Sequence, residues 1–156
     1  MRVNEIDGSP QGGGLRVGVA VAAFNSVITD GLLAGAMSAL EEAGVDETTV
    51  VRVPGALELP LVAQRLARSG FDAVIAIGAV IEGETDHYTH VATEAARGIS
   101  RVALETGVPV ANSVLTVRRY EHARDRSLPG HANKGYEAAR AAVVAANALR
   151  ALGPPR

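Results

Sequence analysis

Residues 73–77, Ala-Val-Ile-Ala-Ile, are apolar at every position, with no alternation between faces. A strand of that kind is buried on both sides, as in a parallel sheet covered by helices. The flanking sequence repeats this theme. Residues 15–22 alternate and then run apolar, which predicts a first strand. Ser26 reads as an N-cap. Ile28, Leu32, Leu33, Ala36, Met37 and Leu40 then trace a helix stripe that stops at Gly44. Residues 48–53 are rich in β-branched side chains and predict a second strand. Pro54-Gly55 is a turn. A second helix opens over residues 56–60 and closes at Gly70. Val91, Ala95, Ile99 and Val102 share one face of a third helix, which starts near Thr85 and ends near Thr106. Residues 108–115 predict the fourth strand, and a short helix follows near residues 118–124. A loop of turn formers spans residues 126–135, and an alanine-rich helix spans residues 136–152.

Each strand-to-strand connection is more than a dozen residues long, which requires parallel strands joined by right-handed βαβ crossovers. The class is therefore α/β, with helices on both faces of the sheet. Residues 15–156 read as one domain, and residues 1–14, with Gly8, Pro10 and Gly12 to Gly14, as a flexible arm. Ligands of such sheets bind beyond the carboxyl ends of the strands. Phe24, residues 56–58, residues 79–87 and residues 112–116 all fall there.

The net charge of −2 argues against a general binder of nucleic acid or membrane surfaces. With no cysteine there is neither a disulfide nor a thiolate metal site, and an intracellular location fits. No apolar run approaches the roughly 20 residues that cross a bilayer, and the N-terminus has no apolar signal core. No Walker A, G-x-G-x-x-G or G-x-S-x-G pattern follows a strand. His87 and His90 are three apart, but a metal would need a third ligand. Lys134 is the only lysine among 15 basic residues; nothing near it in sequence points to a desolvated Schiff-base amine.

The chemistry concentrates in residues 78–91. A strand leads through a turn at Gly83 into a helix, with His87 in its first turn. Backbone N–H groups and the positive helix end suit an anion, and His87 is placed to move protons beside it. Phe24, just past a strand end, is either a core aromatic or a stacking surface for a flat ligand. Glu58 is either a favourable charge at a helix start or a hydrogen-bond acceptor for a ligand.

Taken together, Phe24-Asn25, residues 54–60 (PGALELP), residues 78–87 (GAVIEGETDH), residues 105–109 (ETGVP), residues 114–116 (VLT), Arg126 and Asn133-Lys134-Gly135 resemble the 6,7-dimethyl-8-ribityllumazine synthase family. The resemblance runs in unbroken order from about residue 15 to residue 150. It implies a three-layer flavodoxin-like sandwich with a four-stranded parallel sheet. It implies a transferase of riboflavin biosynthesis that condenses 5-amino-6-(D-ribitylamino)uracil with 3,4-dihydroxy-2-butanone 4-phosphate. Phosphate and water leave, and no cofactor takes part. By the same resemblance Phe24 stacks on the pyrimidine, and Ala56, Leu57 and Glu58 hold the ribityl chain. The backbone at Ala79, Val80 and Ile81 reads the uracil edge. The backbone at Glu84 and Thr85, with the Arg126 side chain, binds phosphate. His87 transfers protons, Asn112 lines the pyrimidine pocket, and Lys134 lies near the site. The resemblance further implies a cytoplasmic homopentamer with sites at subunit junctions, icosahedral assembly in many relatives, and riboflavin synthase as a partner.

Several positions depart from the family pattern. Glu82 and Ala23 replace common arginines, Leu57 and Asn112 stand where phenylalanine is frequent, and Pro129 and His131 alter the loop at residues 127–132. These bear on affinity and loop geometry more than on reaction class. Two other functions suit the same scaffold. A non-catalytic flavin or lumazine binder would keep the stacking and ribityl contacts but dispense with His87 and Arg126. A shell-forming protein would keep a vestigial pocket.

Overall fold

The computed structural model describes all of residues 1–156. Four strands, β1 (Arg16–Ala22), β2 (Glu47–Val53), β3 (Ala73–Ile81) and β4 (Val110–Val117), form one all-parallel sheet in the order β2-β1-β3-β4. The five α-helices are α1 (Ser26–Ala43), α2 (Leu59–Arg68), α3 (His87–Thr106), α4 (Tyr120–Ser127) and α5 (Lys134–Leu152). A single 3-10 turn, Ala56–Glu58, precedes α2. Helices α1 and α5 cover one face of the sheet, where Val19, Val21, Ile75 and Ile77 meet Ile28, Leu32 and Val143. Helices α2 and α3 cover the other, where Ala20, Val74 and Ala76 meet Leu59, Ala63 and Ile99. The result is the three-layer flavodoxin-like sandwich that the sequence implies. No helix is long and apolar enough to cross a membrane.

Element boundaries differ from the sequence reading in instructive ways. Strand β3 runs on to Ile81, four residues beyond the apolar run 73–77, because β4 keeps pairing with it as far as Val117. Helix α3 begins at His87, two residues later than expected. The N-cap of α1 is Asn25, not Ser26, and it caps through its backbone alone. Residues 9–12, read as part of a flexible arm, make specific contacts. Asn147 donates to the carbonyls of Ser9 and Gln11, each at 2.7 Å, and the Gly12 N–H donates to Ala43 at 2.7 Å.

Helices α1 and α5 approach so closely that two glycines are required. A Cβ on Gly135 would meet the backbone of Leu32, and one on Gly35 would meet the Asn133 side chain. Asn133 is the knot of this region and is 2% exposed. Its Oδ1 caps α5 by accepting from the N–H groups of Gly135 (2.8 Å) and Tyr136 (3.1 Å). Its Nδ2 lies 3.0 Å from each of the carbonyls of Gly31, Ser127 and Leu128, so it ties α1 and the end of α4 to the start of α5. A second tie lies one turn along. Tyr136 donates its hydroxyl to Glu42 at 2.6 Å, and this bond holds the Glu42 carboxyl below its ordinary range.

Asn133→Ala removes the cap and leaves three carbonyls without their donor. It is expected to cost about 2–4 kcal/mol in urea unfolding. Asn133→Asp keeps the cap acceptor but turns a carboxylate toward those carbonyls, and is expected to be destabilised as well. A wild-type midpoint for the aspartate variant would show that the donor half of the knot is dispensable.

Candidate active site

Strand order reverses between β1 and β3, because the chain moves outward to β2 on one side and to β4 on the other. A crevice at the carboxyl ends of those strands is the expected ligand site of such a sheet. Here it opens because the two strands differ in reach. Pairing between them ends at Val21 and Ile77, while β3 continues for four more residues. The end of β3 that β1 does not pair floors a cavity of about 460 Å³.

Four segments wall the cavity. The floor is Ala79, Val80 and Ile81, with Ala22 at the end of β1. Phe24 stands on one side and is 72% exposed, so it is a solvent-facing ring and not a core aromatic. Its backbone is fixed, because the Phe24 N–H donates to Pro54 at 3.0 Å and the Ala23 N–H to Val53 at 2.7 Å. Pro54 to Glu58 form a second wall. Within it, Glu58 accepts from the Gly55 N–H at 2.9 Å across the 3-10 turn, the one half of a capping box that a glycine N-cap allows. That bond uses Oε2 and leaves Oε1 available to a ligand. The far wall is Gly83, Thr85, His87, Tyr88 and Val91, where β3 turns into α3. His87 is the first residue of α3 and is exposed to the cavity mouth. Its N–H donates to Thr85 Oγ1 at 3.4 Å.

The cavity gathers most of the residues singled out from the sequence: Phe24, Ala56, Leu57, Glu58, Ala79, Val80, Ile81, Thr85 and His87. Glu84 lies between two lining residues without lining the cavity itself. Three others lie elsewhere in this chain. Arg126 is on α4, where its Nη1 donates to the His122 carbonyl at 3.0 Å. Asn112 is on the edge strand β4, and its Oδ1 accepts from Val114 N at 2.8 Å. Lys134 opens α5 and pairs with Glu137 at 2.7 Å. Sequence reasoning missed Tyr88 and Val91 as lining residues. Val91 carried the signature of a core stripe. The only hint for Tyr88 was an aromatic side chain in a chain with 3% aromatics.

The arrangement combines a flat ring, a row of backbone groups, a free carboxylate oxygen and one imidazole. It suits a planar heterocycle with a polar tail and a proton-transfer step. The loop from Ile81 to His87 carries Glu82, Glu84 and Asp86, and Arg118 lies 3.8 Å from Glu82. No three His, Asp or Glu side chains converge as metal ligands would.

A family model described as 6,7-dimethyl-8-ribityllumazine synthase matches residues 14–150. Proteins bearing that name are similar over almost their whole lengths. The one from Thermococcus kodakarensis is 46% identical over 153 residues, covering 97% of this chain and 97% of its own. That from Kineococcus radiotolerans is 50% identical over 154 residues, covering 95% and 96%. That from Streptomyces avermitilis is 46% identical over 145 residues, covering 92% and 90%.

Glu58→Ala leaves the Gly55 N–H without its acceptor and is expected to lower the melting temperature by about 2–4 °C. Glu58→Gln is expected to restore it, because an amide oxygen accepts the same bond. Equal melting of wild type and the alanine variant would show that the capping box contributes nothing.

Proposed function

The chain belongs to the 6,7-dimethyl-8-ribityllumazine synthase family, and from that premise we propose that the cavity between Phe24 and His87 is its catalytic site. The enzyme condenses 5-amino-6-(D-ribitylamino)uracil with 3,4-dihydroxy-2-butanone 4-phosphate to give 6,7-dimethyl-8-ribityllumazine. The observation that carries the assignment of the site is a joint placement: an exposed aromatic ring, the bare end of β3 and a single histidine border one crevice.

In this reading Phe24 stacks on the pyrimidine, and main-chain groups of Ala79, Val80 and Ile81 pair with the uracil edge. Ala56, Leu57 and the free oxygen of Glu58 hold the ribityl hydroxyls. Backbone N–H groups at Glu84 and Thr85 receive the phosphate, at the positive end of α3. The amine of the pyrimidine attacks the ketone, water and phosphate leave, and the second ring closes. Every step moves a proton, so one imidazole at His87 serves in turn as base and acid. Holding two substrates in one crevice supplies much of the rate.

Arg126, Asn112 and Lys134 complete the site from a neighbouring copy in a homopentamer. Two observations support this. All three lie outside the cavity of their own chain, and the cavity walls include large apolar groups facing solvent, Phe24 at 72% and Leu57 at 49% exposure. Leu61, on α2 beside it, is 73% exposed. A site that must exclude water closes when a second subunit covers these groups. Arg126 then supplies the bidentate cation for the leaving phosphate. Pentamers of this kind are the units of an icosahedral shell. The absence of cysteine fits a reducing compartment, and we place the enzyme in the cytoplasm, where riboflavin synthase would consume its product.

The direct test is incubation with the two substrates, reading lumazine fluorescence. His87→Ala is expected to lower turnover by roughly one to four orders of magnitude with pyrimidine binding retained. Unchanged turnover would remove His87 from the mechanism.

Shared sites make a sharper prediction for assembly. Arg126→Ala alone is expected to weaken use of the phosphorylated butanone by about 1.5–3 kcal/mol. Subunits carrying His87→Ala, co-assembled with subunits carrying Arg126→Ala, are expected to regain activity above either parent, because some junctions then hold both native residues. Co-assembled rings no more active than their parents would refute the shared site, as would an active monomer in light scattering.

A further inference from the structure

Asn25 is the one residue other than glycine with positive φ, at φ 60 and ψ 51. A side chain bearing a Cβ enters that region at a cost, and such strain collects where surrounding structure requires it. Starting α1 does not require it to be asparagine. The helix takes only its carbonyl, which accepts from the N–H groups of Ile28 (3.0 Å) and Thr29 (3.1 Å), and no side-chain cap is made. The carboxamide turns the other way. Its Nδ2 donates to the Ala79 carbonyl at 2.9 Å, across 54 residues of sequence. That carbonyl belongs to the part of β3 that has outrun β1, since their last paired residues are Val21 and Ile77. The side chain therefore satisfies a backbone group that the sheet leaves without a partner.

Both residues that Asn25 touches or follows border the cavity: Ala79 on the floor and Phe24 on the wall. We infer that Asn25 is a positioning residue that sets the separation between the Phe24 ring and the Ala79 backbone, and so the fit of a flat heterocycle between them. The inference rests on the function proposed above. Asparagine does both jobs, adopting the left-handed backbone and donating to the carbonyl. Glycine adopts the same backbone conformation without a donor. Aspartate tolerates it but would turn a carboxylate toward a carbonyl.

The test compares wild type with Asn25→Gly and Asn25→Asp as full-length assembled protein. Each is titrated calorimetrically with 5-amino-6-(D-ribitylamino)uracil alone, and turnover is followed by lumazine fluorescence. In both variants Kd for the pyrimidine is expected to rise about tenfold, the loss of one well-placed hydrogen bond and its ordering. The KM for the phosphorylated butanone at saturating pyrimidine is expected to stay within about twofold, a split between substrates that a general loss of order would not produce. Melting of Asn25→Gly is expected to fall by about 2–4 °C, because relief of the left-handed strain offsets the freer unfolded chain while the Ala79 carbonyl still loses its donor. Wild-type affinity for the pyrimidine in the glycine variant overturns the inference, and so does an equal loss for both substrates. Failure of the wild type itself to bind the pyrimidine overturns the functional reading, and this inference with it.

Discussion

The structure depends on one unequal pairing. Strands β1 and β3 lie side by side at the centre of the sheet, each buried by helices on both faces, yet β3 extends beyond their last paired residues. Equal strands would carry their hydrogen bonds to the rim and leave no opening. The overhang instead strips β3 of its neighbour on one side while β4 still holds it on the other through Val117. A rigid strand end results, unpaired by β1 and held from behind by β4, and such a backbone is a more precise platform than a loop.

The two helix layers serve that platform differently. On the α1/α5 side, glycines at 35 and 135 let the helices nearly touch, and Asn133 ties three segments with one buried carboxamide. This side is closed, and it fixes where α1 begins and therefore where Phe24 stands. The α2/α3 side is tight at its middle, where a Cβ on Gly98 would meet Pro60 at 2.6 Å. It opens toward the strand ends, where the 3-10 turn and the first turn of α3 diverge around the cavity. The cavity sits where packing relaxes, and the packing behind it supplies the rigidity.

Electrostatics at the mouth is less one-sided than anion binding alone would favour. The positive end of α3 faces the cavity, yet Glu82, Glu84 and Asp86 stand on the same loop. Backbone N–H groups do not move with their side chains, so the loop can offer donors inward while its carboxylates face solvent. All three carboxylates are exposed. A cation fixed opposite them matters the more for that reason, and within one chain Arg126 does not fill the role.

The sequence alone determined the alternation of strands and helices, the parallel sheet, the family and the strand ends where the cavity lies. These are local or ordered signals: apolar periodicity, turn formers, and motifs in unbroken succession. It also singled out His87, Phe24 and Glu58 by residue type and place. Only the tertiary structure decided what each one touches. Glu58 closes a turn with one carboxylate oxygen and leaves the other free. Tyr88 joined the cavity because α3 starts at His87, a boundary that periodicity cannot locate to the residue. Asn25 and Asn133 entered the sequence reading only as motif residues, yet their amides bind carbonyls 54 and up to 102 residues away. Arg126 looked like part of the site and lies outside the cavity of its own chain. The physical reason is common to the two asparagines. A pattern in sequence encodes which face is buried, whereas a hydrogen bond between distant segments exists only after the sheet has set their distance.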